Sequence, residues 1–179
     1  MKNSKLFIVF LLMMGLNTTY AQIEKGNFLI GGGVGFEMDL VEDGDNPFTI
    51  FLTPNVLNLI NDNLAVGGAL GVVHTKAGDF SNTSLGILPS ARYYLSGLES
   101  NMAFYVDAKA GLQINRVSFD GDADSESALT FSFGPGVAYF ISDDVSIDTG
   151  LNFNRIGGDF DQSSINLNIG LQVFFTGKE

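Results

Sequence analysis

The run 164–175, near the end of the chain, alternates between two kinds of side chain. One set is wholly apolar, whereas the other is mostly small or amide-bearing and carries no charge. Since the side chains of a β-strand point alternately to its two faces, the run predicts a strand with an apolar face against lipid and an uncharged face in a narrow interior, which is typical of a transmembrane β-barrel. The apolar set is Ile165, Leu167, Ile169, Leu171, Val173 and Phe175, and it alternates with Ser164, Asn166, Asn168, Gly170, Gln172 and Phe174.

The first 21 residues predict a secretory signal peptide. Lys2 and Lys5 precede the apolar run 6–16, and Ala21 closes a stretch with small residues at the usual cleavage positions. The run is too short for a membrane-spanning helix, which needs about 20 residues. We therefore expect residues 1–21 to be removed on export and residues 22–179 to form one β-barrel domain.

Composition narrows the class of protein. Charged residues make up 16% of the chain, which also has 22 glycines and no cysteine. Charged residues usually make up about 25% of a soluble domain, so something other than water is expected to cover much of the surface. Loss of Lys2 and Lys5 leaves 7 basic against 20 acidic residues, a net charge of −13. This balance argues against a nucleic-acid partner, and the lack of cysteine excludes disulfides and thiolate metal sites.

The hydropathy pattern predicts about eight strands, an even number. Each is long enough to cross a bilayer, since a tilted strand needs about 9 to 11 residues. Connections are expected to be short on one side of the membrane and longer and acidic on the other, as in outer-membrane barrels. The expected strands are 27–38, 48–60, 64–75, 84–96, 102–117, 128–141, 145–156 and 164–175.

One strand-turn-strand unit occurs twice, 81 residues apart, and a looser copy begins at Pro89. The repeat places Pro54 and Pro135 inside predicted strands, although proline cannot donate a ladder hydrogen bond. We interpret the prolines as bulges or kinks that help the sheet close, and the alternative is that each proline begins a shorter strand. The unit Pro54, Val56, Ile60, Asp62, Leu64, Val66 and Leu70 recurs as Pro135, Val137, Ile141, Asp143, Val145, Ile147 and Leu151.

With its signal peptide, glycine-rich first strand 28–36, repeated turn units and closing strand, the chain resembles the small outer-membrane β-barrels of Gram-negative bacteria, the OmpA/OmpX-like and porin-family barrel domains. The resemblance covers the whole mature chain. It implies a closed antiparallel up-and-down barrel in the cell outer membrane. It also implies outer-membrane lipids, lipopolysaccharide and the outer-membrane insertion machinery as partners.

The alternation also predicts which polar residues face the interior. Glu37, Arg92, Asp107, Lys109 and Asp148 are expected to form a polar network in the lumen, because an isolated buried charge is very costly. Arg92 and Asp107 are the expected pair, since they lie across one short turn. Lys109 would reach Glu37 or Asp148 only in a narrow barrel. The network is interpreted as a rigid polar core, with a gate or proton-linked site as the alternative.

Catalysis and metal binding find little support in the sequence. The single histidine, His74, is in phase with the outward apolar residues and has no serine partner in a recognisable motif. The acidic segment 120–126 supplies oxygen ligands suited to a weak divalent cation, but Ser125 and Phe131 stand where an EF-hand requires glycine and glutamate. We expect no catalytic residue, no cofactor and no dedicated metal site.

The expected function is that of a non-enzymatic integral outer-membrane barrel with a structural or surface-interaction role. An eight-stranded barrel is just wide enough to be filled by side chains or to hold one small ligand, and we expect a largely filled lumen. The alternatives are a narrow porin, a small-ligand-binding or transport barrel, or a soluble β-sandwich or lipocalin-like carrier.

Overall fold

The computed structural model describes residues 24–38, 48–95, 101–119, 122–157 and 162–176. These residues form a closed barrel of eight antiparallel strands, in which each strand pairs with its neighbours in sequence and the last pairs with the first. The predicted all-β up-and-down barrel is confirmed, whereas the predicted signal peptide lies outside the described residues. The strands are β1 (Phe28–Met38), β2 (Phe48–Leu59), β3 (Leu64–Ala77), β4 (Phe80–Tyr94), β5 (Met102–Phe119), β6 (Asp122–Ser142), β7 (Val145–Ile156) and β8 (Gln162–Phe175).

The barrel has two distinct ends. The inner end carries the start of β1, the end of β8 and the connections 60–63, 95–101 and 143–144. The outer end carries the other four connections, two of which are only two residues long, at 78–79 and 120–121. The expected longer loops at these two places are wrong, because β4 begins at Phe80 and β6 at Asp122. The polar residues on either side of these two connections continue the backbone hydrogen-bond ladder, and a hydropathy pattern does not detect such pairing.

The outer face of the barrel is a continuous apolar band. Ile165, Leu167 and Ile169 of β8 are 69%, 60% and 56% exposed, whereas the inward-facing Gln172 is 2% exposed. The band ends before the strands do: beyond Ile114 of β5, outward residues such as Arg116 are polar. A folded chain exposes so large an apolar surface only where lipid or another apolar partner covers it. No helix in the described part of the chain is long and apolar enough to span a membrane.

Three prolines lie inside strands, which excludes the shorter-strand alternative. Pro54 keeps its register opposite Gly32 in the preceding strand, while the ladder to the following strand skips two residues and resumes in the same register. Pro89 and Pro135 show the same pattern. The prolines are therefore sites where one ladder is interrupted, and no residue is inserted as a bulge would require.

The seam that closes the barrel is shorter than the other ladders. β1 and β8 pair from Phe28 and Phe175 only as far as Val34 and Ile169. The outer half of β8 is paired with β7 over its whole length. The closure between first and last strands is thus confined to the inner half of the barrel, next to the buried core.

The hydrophobic core fills the inner half of the lumen. It contains the paired rings of Tyr94 and Tyr105, whose centroids are 6.0 Å apart, and those of Phe140 and Phe174, 5.4 Å apart. Leucine and alanine side chains from the same end of the barrel complete this cluster. The core supports the polar residues of the lumen, which lie on its outer-end side. Its remaining members are Leu29, Leu57, Leu59, Ala65, Ala103 and Ala138.

Candidate functional site

A buried charge network crosses the lumen directly above the hydrophobic core. Arg92 of β4 donates from Nε to Asp107 Oδ1 at 2.8 Å and from Nη2 to Asp107 Oδ2 at 3.0 Å. Its Nη1 donates to Asp148 Oδ2 on β7, and Ser146 Oγ donates to Asp148 Oδ1 at 2.6 Å. Arg92, Asp107 and Asp148 are at most 7% exposed. The guanidinium therefore joins the carboxylates of two strands, β5 and β7, that are not neighbours in the barrel.

An aromatic ring holds the guanidinium from a third direction. The Cζ atom of Arg92 lies 3.8 Å from the ring centroid of Tyr105 and 5.9 Å from that of Tyr94. Tyr105 is the register partner of Gly136, and a Cβ atom on that glycine would lie 2.2 Å from the Tyr105 ring. The missing side chain of Gly136 leaves the space in which the ring packs. Cation–π contacts of this kind add about 0.5–2 kcal/mol to the ion pairs.

The network balances its charges. Lys109 Nζ lies 3.5 Å from Asp107 Oδ2, so two cations face two carboxylates. The structure brings together four of the five predicted residues and pairs Arg92 with Asp107. It connects Asp148 to Arg92, not to Lys109. The backbone of Glu37 lies opposite Thr49, but its side chain is outside the described residues.

Sequence reasoning missed the hydrogen bonds that join several polar residues of the lumen. Gln172 Nε2 donates to Asn55 Oδ1 at 2.7 Å across 117 residues of sequence. Nearer the outer end of the lumen, Ser84 Oγ and Gln113 Nε2 each donate to Asn115 Oδ1 at 2.6 Å. The strand alternation places these residues inward, but only the closed barrel shows which of them meet.

The outer half of the lumen is open, which corrects the expectation of a largely filled interior. It holds a cavity of about 580 Å³, called the outer cavity below. Residues of β2 to β8 line it. Apart from Lys109 and Gly71, their side chains are hydroxyl-bearing, amide-bearing or apolar. Lys109 is at its floor and Gln113 stands above it. Around the network a space of only about 20 Å³ remains, enough for roughly one water molecule.

Small residues in the barrel wall explain why the outer half of the lumen is not filled by side chains, contrary to the prediction. Tyr105 and Phe140 pack in the inner core, as expected for bulky inward residues. Phe51 instead lies against Gly35, where a Cβ atom would be 2.0 Å from its ring. The ring thus occupies space at the wall and leaves the centre of the outer half empty.

The other candidate residues lie away from the lumen. His74 is exposed on the outer face, and its Nδ1 lies 2.9 Å from Thr83 Oγ1. Asp124 and Glu126 are part of β6, while residues 120–121 of the acidic segment lie outside the described residues. Among the described side chains, no group of three histidine or acidic residues is placed to hold a metal ion.

Comparison with known families gives one match over most of the chain. The family described as "Outer membrane protein beta-barrel domain" matches residues 7–172. No curated protein matches the sequence.

Several solved structures share the fold. Neisserial surface protein A (NspA) is 21% identical with a TM-score of 0.59, and the match covers 86% of this chain and 100% of that one. The outer-membrane protein OprG of Pseudomonas aeruginosa is 14% identical with a TM-score of 0.55, covering 86% and 97%. Ail, the attachment invasion locus protein of Yersinia pestis, is 14% identical with a TM-score of 0.52, covering 84% and 99%. At these identities the similarity concerns the fold alone.

Proposed function

This chain belongs to the outer-membrane protein β-barrel domain family and lies in the outer membrane, and we propose on that basis that it is a non-enzymatic surface protein whose barrel does not conduct solutes. The signal peptide 1–21 would direct its export, and the outer-membrane insertion machinery would fold it. Two of the structures with the same fold are named as a surface protein and an attachment protein, which favours a role at the cell surface.

The observation that carries this proposal is the closed inner half of the lumen. A solute crossing the barrel would have to displace the ion pairs of Arg92 and then the aromatic rings of the core. Breaking a buried ion pair costs about 3–5 kcal/mol, so spontaneous opening by this route is rare. The network is thus assigned a structural role, as a rigid polar layer that seals the lumen.

Lipopolysaccharide is the proposed lipid partner at the outer edge of the apolar band. Lys76, Arg116 and Arg155 are exposed and outward-facing near the outer end, where the apolar band gives way to polar residues. They account for three of the 7 basic residues in a chain whose mature charge is −13. Cations at this level suit the phosphate groups of lipopolysaccharide.

Planar-bilayer recording tests the closed barrel. The folded protein, verified by heat-modifiable migration on a gel, should give no reproducible conductance steps, while a general-diffusion porin in the same bilayers should. Steady, unitary steps from the folded protein would show that the lumen conducts, and the narrow-porin alternative would replace this proposal.

Sidedness is tested by labelling single cysteines, because the chain has no native one. In intact cells a membrane-impermeant maleimide should react with Asp79→Cys, in the turn between β3 and β4, and not with Asp143→Cys, in the turn between β6 and β7. Labelling of Asp143→Cys alone would mean that the outer end faces the periplasm, and the surface role would be wrong.

A further inference from the structure

The outer cavity has the size and lining of a binding site for a small molecule. Its volume of about 580 Å³ falls within the range of about 300–1,000 Å³ found for ligand sites. We propose that it binds an uncharged, hydroxyl-rich ligand, a neutral saccharide of about two rings, entering from the outer end. This inference goes beyond the proposed surface role and does not depend on whether the inner half conducts.

The two sides of the outer cavity differ in chemistry. β7 and β8 contribute the amides of Asn152, Asn154, Asn166 and Asn168. An amide group both donates and accepts hydrogen bonds, as a sugar hydroxyl does. In the cyclic strand order these strands stand opposite β3 and β4.

The opposite side adds an apolar surface beside its own polar residues Thr75, Asn82 and Ser84. Val73 of β3, with Phe80 and Leu88 of β4, faces the amide wall, and Phe51 of β2 stands beside them. A sugar ring has hydroxyl groups around its rim and C–H groups on its faces, so it can meet both walls at once. A purely hydrocarbon ligand would leave the amides of the other wall without partners, at a desolvation cost for each.

An orphan donor gives independent support for a polar ligand. Asn115 lines the outer cavity and is 4% exposed. Its Oδ1 accepts hydrogen bonds from Ser84 and Gln113, which fixes the orientation of the amide. Among the described residues, its Nδ2 has no hydrogen-bond partner, and neither does Oδ1 of the neighbouring lining residue Asn82. Buried amide groups rarely remain unpaired, and a ligand with adjacent acceptor and donor groups would satisfy both.

Charge favours a neutral ligand over an acidic one. Lys109 is the only charged residue among the described residues that line the outer cavity. Its charge is already matched within the network, where two cations face two carboxylates. A bound carboxylate or sulfate would add an unbalanced negative charge above Asp107. A sugar hydroxyl could instead accept a hydrogen bond from Lys109 Nζ and leave the charges balanced.

Binding is tested with the full-length protein in phosphatidylcholine nanodiscs, because maltoside and glucoside detergents carry sugars that would compete. A panel of neutral disaccharides, their uronic-acid counterparts and short alkyl alcohols is titrated by calorimetry. Neutral disaccharides should bind. Asn166→Leu should weaken that binding about tenfold, because one buried hydrogen-bonded amide is lost. Asn58→Leu is the matched control, since Asn58 lies at the inner end and bonds to Gly26.

The panel gives decisive outcomes. Binding of neutral disaccharides that is weakened by Asn166→Leu and unchanged by Asn58→Leu supports the proposal. Repeating the titration with the detached polysaccharide of lipopolysaccharide then distinguishes a sugar of the cell's own surface from a free saccharide. No binding of any neutral disaccharide, binding only of acidic sugars or alkyl alcohols, or equal weakening by both variants overturns it. Heat-modifiable migration verifies that each variant folds.

Discussion

Replacing Arg92 by methionine should reveal how strongly the buried network stabilises the barrel. Methionine keeps much of the side-chain volume but removes the three donors that bind Asp107 and Asp148. The carboxylates are 7% and 4% exposed and would lose their shared cation. Removing one partner of a buried ion pair costs about 3–5 kcal/mol, since the remaining charge is left uncompensated. This cost is a large fraction of a typical stability of about 5–15 kcal/mol.

Urea unfolding in lipid vesicles measures this cost. Arg116→Met is the control, because Arg116 is exposed on the outer face, and it should change the free energy of unfolding by no more than about 0.5 kcal/mol. A second variant, Arg92→Met with Asp107→Asn and Asp148→Asn, removes the uncompensated charges. It should recover more than half of the lost stability. The charge of Lys109 remains in this variant, but Lys109 lines the outer cavity.

Two results would refute this reasoning. A cost below about 1 kcal/mol for Arg92→Met would mean that the two carboxylates find other partners or water. Equal destabilisation of the single and triple variants would mean that the loss comes from packing against Tyr105 and not from unpaired charge.

Two further predictions concern the outer face and the close contact of strands. Leu167→Arg should lower the free energy of unfolding by about 2–4 kcal/mol, the cost of a charge near the bilayer midplane. A fluorophore on a cysteine at 167 should be reached by lipid-soluble quenchers, whereas one on a cysteine at 168 should not. Equal quenching at both positions contradicts the assignment of faces. Gly134→Ala should lower the urea midpoint far more than Gly68→Ala, because the new Cβ would lie 1.9 Å from the backbone oxygen of Leu151, whereas at Gly68 the nearest atom is 3.9 Å away. Similar midpoints for the two alanine variants would show that the strands can separate at Gly134 without cost.

The pair of Arg92 and Asp107 could be predicted because both residues lie near one turn. Strands joined by a short connection pair in a register that the connection largely sets, and these two residues are register partners between β4 and β5. Asp148 lies 56 residues from Arg92 on a strand across the lumen. Its choice of partner depends on the width of the closed barrel, which no local pattern gives.

The predictions of longer loops at the outer end and of a largely filled lumen are wrong for related reasons. Hydropathy reports where the chain meets lipid, so it shows the apolar band and not the polar hairpin of β5 and β6 that continues beyond it. The volume of the lumen depends on where each ring packs. Phe51 occupies the wall beside Gly35 because cross-strand pairing brings the two together.

The sequence by itself determined the class of fold and the face of each residue. Alternation with period two separates lipid-facing from interior side chains, since this property is local to each strand. The closed tertiary structure decided which interior residues meet, that Arg92 joins carboxylates from two sides, and that the outer half of the lumen stays open. These features depend on strand number, register and diameter together, so they arise only when the barrel closes.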